Sequence, residues 1–124
     1  MSKPTRTTLI LLALAALLLA AAGCSGKNAE CKVTLDKDGG LGIIVNPPGE
    51  SGAASMDGSL QRNMNISSGN VTTHYVGELV KAYDESGASY TIQVDIEIAD
   101  DRLTAYTLEV TGGVYGSTAH TCSK

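Results

Sequence analysis

Tyr90-Thr91-Ile92-Gln93-Val94-Asp95-Ile96-Glu97-Ile98 is the stretch whose reading decides the fold. In an extended chain Tyr90, Ile92, Val94, Ile96 and Ile98 fall on one side, and Thr91, Gln93, Asp95 and Glu97 on the other. This period of two marks a strand with one buried and one wet face. A helix would scatter Asp95 and Glu97 among the isoleucines, and the run of β-branched residues resists helical χ1 geometry. The stretch is read as the central strand of an antiparallel sheet.

On its C-terminal side, Ala99-Asp100-Asp101-Arg102 is a turn. Tyr106, Leu108 and Val110 then alternate with Ala105, Thr107 and Glu109 as a further strand. Gly112-Gly113 is a two-residue hairpin signal, and a last strand from Val114 delivers Cys122. On the N-terminal side, Asp84-Glu85-Ser86-Gly87 leads in. Residues 71–83 are ambiguous. Val76, Leu79, Val80 and Tyr83 recur at helical spacing, whereas Val71, Thr72 and Thr73 favour a strand and Gly77 weakens a helix. A strand is the preferred reading, with a short helix over 76–83 as the alternative.

Earlier still, Leu60, Met64 and Ile66 alternate with Gln61, Asn63 and Asn65 as a strand with a polar outer face, closed by Ser67-Ser68-Gly69-Asn70. Gly49–Ser59 is rich in Gly, Ser and Ala and is expected to be an exposed loop. Cys31, Val33 and Leu35 form a first strand and Leu41–Val45 a second. Asp36-Lys37-Asp38-Gly39-Gly40 joins them, and Asn46-Pro47-Pro48-Gly49 ends the pair. Turn signals about every ten residues point to an all-β fold, a small antiparallel sandwich or barrel of about 6–8 strands.

The chain has 124 residues, so one domain is expected. Aromatic content is 4 %, all Tyr, so the core rests on Val, Ile, Leu, Met and Tyr. A domain with so small a core gains from a covalent staple. With 13 acids against 9 bases the formal charge is −4, a poor match for nucleic acid.

Lys3 and Arg6 precede an apolar run from Leu9 to Ala22, the pattern of a secretory signal. At about 1.5 Å per residue the run covers roughly 21 Å, short of the ~30 Å hydrocarbon core. It ends in Ala21-Ala22-Gly23-Cys24, which resembles the lipobox of bacterial lipoproteins. The resemblance implies removal of a signal peptide, residues 1–23, and lipidation of the Cys24 thiol. The alternative is an ordinary secretory signal with Cys24 incidental or disulfide-bonded. Cleavage before Cys24 leaves 13 acids and 7 bases, net −6. Two or more acyl chains, at about 0.8 kcal/mol per buried methylene, outweigh the repulsion of an acidic domain by anionic lipid.

If lipid takes Cys24, Cys31 and Cys122 remain, in a compartment where disulfides persist. Bonded, they close a loop of 92 residues, worth up to about 4–5 kcal/mol on the chain-entropy model. The alternative is two free thiols. Residues 24–30 then form a short lipidated tether, residues 31–124 a single β-rich domain, and the partner through the anchor is the exported face of the cell membrane.

The chain carries little that points to catalysis. His74 and His120 have no partner at metal-ligand spacing and read as ordinary strand or surface residues. Asp36–Gly40 starts like a calcium loop, but position 6 is Leu41 and position 12 is Pro47, so it is rejected. No G-x-S-x-G elbow occurs. Asp95 and Glu97 are neighbours on one sheet face and read as a solvated surface rather than an acid–base pair. Asn65-Ile66-Ser67 and Asn70-Val71-Thr72 match the N-glycosylation pattern, which a bacterial lipobox makes moot. Neither an enzyme nor a cofactor is expected.

Cys24, Cys31, Gly87-Ala88-Ser89-Tyr90-Thr91-Ile92 and Thr121-Cys122-Ser123 together resemble the plan of the 19 kDa lipoprotein antigen family of mycobacteria and relatives. That resemblance implies a β-rich cell-envelope lipoprotein without known catalysis, exposed to host receptors through its acylated terminus. The family's long Ser/Thr/Ala-rich linker is missing here. Ser86-Gly87-Ala88-Ser89-Tyr90 also resembles the S-G-x-x-Y motif of lipoprotein inhibitors of c-type lysozyme. By that resemblance the motif loop enters an enzyme cleft, with Ser86 and Tyr90 as contacts. The inhibitors' second motif, Y-x-x-x-T-K-G, is not matched: Tyr106 to Gly112 has an extra residue, and Gly stands where Lys should be. The strand reading itself turns Tyr90 inward.

Overall fold

The computed structural model describes residues 28–124. Expectations for residues 1–23 and for Cys24 lie outside the described residues. Seven strands follow in chain order: β1 (Glu30–Leu35), β2 (Leu41–Asn46), β3 (Ala54–Ser67), β4 (Asn70–Tyr83), β5 (Ser89–Ala99), β6 (Arg102–Gly112) and β7 (Gly116–Ser123). The expected all-β antiparallel fold is therefore observed, with strands 3 to 7 as a five-stranded meander and β1–β2 as a separate hairpin. No helix among the described residues is long and apolar enough to cross a membrane.

Strand β5 holds the middle of the large sheet. Tyr90, Ile92, Val94, Ile96 and Ile98 are buried, while Gln93, Asp95 and Glu97 face solvent. The pairings Ile92↔Val110 and Val94↔Leu108 extend this apolar face onto β6, and Leu79↔Ile92 and Tyr75↔Ile96 extend it onto β4. The β1–β2 hairpin lies over this face and contributes Val33 and Val45 to the core. Complete burial of a Val or Ile side chain contributes about 1.5–3 kcal/mol, so these few residues supply most of the apolar stabilisation. The Cys31–Cys122 disulfide ties β1 to β7, with Cα atoms 6.4 Å apart.

The preferred strand over residues 71–83 is observed, and two other expectations are corrected. The alternative helix over 76–83 does not form. β4 pairs along its length with β3 on one side and β5 on the other, and this pairing overrides the helical spacing. Gly49–Ser59 is not all loop: Ala54 already pairs with Tyr83, although its side chains stay exposed. Gly112-Gly113 does not make a two-residue hairpin. A single 3₁₀ turn, Gly113–Tyr115, joins β6 to β7, and the last strand starts at Gly116 rather than Val114.

The two tight hairpins follow turn chemistry. Ser68 and Gly69 have φ of 52° and 82°, and Asp100 and Asp101 have 50° and 64°. Positive φ at both central residues matches the twist of the flanking strands. At the β1–β2 turn, Asp36 Oδ1 accepts from the Asp38 and Gly40 amides at 2.9 and 2.6 Å, the local closure Asp is favoured for.

Candidate functional site

Ser86 and Tyr90 meet on one carboxylate. Ser86, in the β4–β5 turn, donates its hydroxyl to Glu50 Oε1 at 2.8 Å. Tyr90, at the start of β5, donates to Glu50 Oε2 at 2.5 Å, and its oxygen accepts the Val114 amide at 3.2 Å. Glu50 comes from the β2–β3 loop, and nothing in its sequence surroundings signals this role. The Tyr90 ring is fully buried. Burial first, then the bond to Glu50, pushes its hydroxyl pKa up to about 12, against a smaller opposing effect of the Val114 amide.

Around Tyr90, Tyr83, Tyr115 and His120 gather at one end of the fold. Tyr83 and Tyr115 meet it edge-on, each with centroids 6.0 Å away. Tyr115, whose hydroxyl pKa is raised by burial, stacks on His120 at 5.2 Å. His120 Nε2 accepts the Ala29 amide at 3.2 Å and so holds the chain just ahead of β1. Lys81 donates to the Val45 carbonyl at 2.8 Å and to Asn46 Oδ1 at 3.1 Å, latching β2 to the sheet. The arrangement locks Tyr90 in place. As placed, Ser86 is exposed on its turn while Tyr90 is a core residue.

The two histidines are not brought together. His120 lies opposite Val110 on the core-facing side of the sheet. His74 lies on the outer side, where its Nε2 meets Asp95 Oδ1 at 2.5 Å. Glu97 on the same side accepts from Thr104 at 3.2 Å, and Glu78 accepts from Gln93 at 2.5 Å. Asp95 and Glu97 are therefore part of a solvated face of paired polar groups. No group of three His, Cys, Asp or Glu side chains among the described residues is placed to hold a metal ion.

A recess of about 440 Å³ opens at the other end of the molecule, between the β1–β2 turn and the β3–β4 part of the sheet. Leu35 and Ile98 give it apolar wall, Thr73 and Tyr75 a polar one, and Arg62 and Asp36 stand at its mouth. Thr73 is the one buried polar residue among the described residues. β1 runs from Ala29 and His120 at one end to Leu35 at this recess, about 20 Å at roughly 3.3 Å per residue. The turn Asp36–Gly40 was read only as a connection. Arg62, Thr73 and Tyr75 give no spacing signal, because separate strands bring them together.

The chain matches no known protein family, no curated protein and no solved structure.

Proposed function

We propose that the chain is a lipid-anchored lipoprotein of the bacterial cell envelope with a non-catalytic binding role, of the kind found in the 19 kDa antigen family it resembles. The observation that carries this reading is Ala21-Ala22-Gly23-Cys24 at the end of the apolar run, with Cys24 the one cysteine outside the disulfide. A disulfide between the first and last strands suits an exported protein with few large apolar residues. The tether from Cys24 to Ala29 is six residues, roughly 20 Å at most. It leads into the end of the domain that carries His120 and Tyr115. The recess lies at the opposite end, so an anchored domain presents Arg62, Thr73 and Tyr75 away from the bilayer.

Metabolic labelling with radioactive fatty acid in a bacterium with lipoprotein-processing enzymes tests the anchor. The label is expected in the full chain and absent from the Cys24→Ala variant. An intact mass showing an unmodified Cys24 in the processed chain would overturn the reading.

A further inference from the structure

We infer that β3 is an interaction edge that pairs with β3 of a second copy of this chain, joining two five-stranded sheets into one. β3 is the outermost strand of the large sheet, paired only with β4 among the described residues. Its 14 residues leave one full row of backbone donors and acceptors without a strand partner. Natural edge strands of this length are normally blunted by Pro, a bulge, a cover or several charged side chains. β3 contains no Pro, and its register with β4 runs unbroken from Ala54 to Ser67. Its charges are only Asp57 and Arg62, and on its core-side face Met56, Met64 and Ile66 lie open, 43, 51 and 68 % exposed.

Side-chain order selects a second copy as the occupant. An antiparallel pair of identical strands has its two-fold axis normal to the sheet, so opposed residue numbers must sum to an even value for faces to match. Two registers pair almost the whole strand. One is centred on Gln61 and sets Arg62 against Leu60. The other is centred on Leu60, which then meets its own copy, while Met56 meets Met64 and Arg62 meets Gly58, which has no side chain to obstruct it. On the opposite face Asp57 meets Asn63, Ser59 meets Gln61 and Ser55 meets Asn65. No like charges are opposed, apolar groups face apolar groups, and polar groups face polar groups. This register covers 13 residues of each copy and adds about a dozen backbone hydrogen bonds, as many as a typical protein interface carries. The pairing does not depend on the lipid anchor.

Thiol cross-linking of the full-length chain tests it. Directly opposed positions have Cβ atoms about 4.5–5.5 Å apart. Under mild oxidation Leu60→Cys is expected to shift most of the chain to the dimer position on a non-reducing gel. Ser55→Cys, separated from its own copy by about ten strand residues or roughly 34 Å, stays at the background of the unsubstituted chain. Met56→Cys and Met64→Cys cross-link when co-produced and not singly. Leu60 is half-buried at the margin of the core and is not one of its fully buried residues, so its replacement by Cys removes little buried contact. Equal dimer from Leu60→Cys and Ser55→Cys, or none from Leu60→Cys, would overturn the proposal, as would a monomeric mass for the unsubstituted protein at the concentrations used.

Discussion

The Tyr90 hydroxyl donates a hydrogen bond to the Glu50 carboxylate across 40 residues of chain. This contact fastens a loop of otherwise small and polar residues to the first core position of the central strand. It also gives the domain a pH dependence of definite sign. The Tyr90 pKa is raised from 10.0 to about 12 in the folded protein. An upward shift means its contribution is fully present below the unfolded value of about 10 and is lost as pH rises to about 12. Two pKa units correspond to roughly 2–3 kcal/mol. Urea midpoints measured from pH 8 to pH 12 should fall across the upper part of that window.

Tyr90→Phe keeps the ring and removes the oxygen. The Glu50 carboxylate and the Val114 amide each lose a partner, and the expected cost is about 1–3 kcal/mol at neutral pH. The fall in stability between pH 10 and 12 should become shallower than in the parent. A variant with the parent's stability at both ends of the range would show that the contact contributes nothing.

Gly113 sits at φ +48°, and a Cβ there would collide with the Tyr90 ring. Gly113→Ala should therefore destabilise by more than the roughly 1 kcal/mol of a strained left-handed residue, because either the 3₁₀ turn or the ring must shift. Loss of the near-ultraviolet circular dichroism of the tyrosine cluster, at retained strand content, would report the displacement.

Ile92 and Ile66 have the same side chain in opposite settings. Ile92 is fully buried, Ile66 is 68 % exposed. Ile92→Ala should cost about 2–5 kcal/mol. Ile66→Ala should change the stability of the single chain by less than about 0.5 kcal/mol. Equilibrium unfolding in urea, analysed at constant slope, distinguishes them.

Replacing Cys31 and Cys122 together by Ser should lower stability by about 2–5 kcal/mol. The loss is a large part of what a small domain possesses. The same comparison made with the parent protein in strong reductant should agree in direction and size.

β5 was legible because one face is buried and one is wet, so its side chains alternate without exception. β4 was not. Both of its faces are half-covered, and Leu79 and Val80 point to opposite sides with similar exposure, so no single period stands out. The early part of β3 was hidden for another reason. Ala54, Ser55, Asp57, Gly58 and Ser59 pack against little, and β4 supplies the pairing that composition does not advertise. Glu50 could not be found at all, since its partners Ser86 and Tyr90 lie 36 and 40 residues away. Cys31 and Cys122 were legible through counting, a constraint that ignores the distance along the chain.

The order of strands sets a timetable for maturation. Each strand from β4 onward pairs with its immediate predecessor, so the large sheet can zip up as the polypeptide emerges. The β1–β2 hairpin appears first but finds its seat last, because Val33 and Val45 settle on surface built from β5 and β6. Cys122 lies on β7, so it cannot reach Cys31 until that strand has been made. Oxidation thereby waits on the large sheet, a seal that closes only after every one of its strands exists.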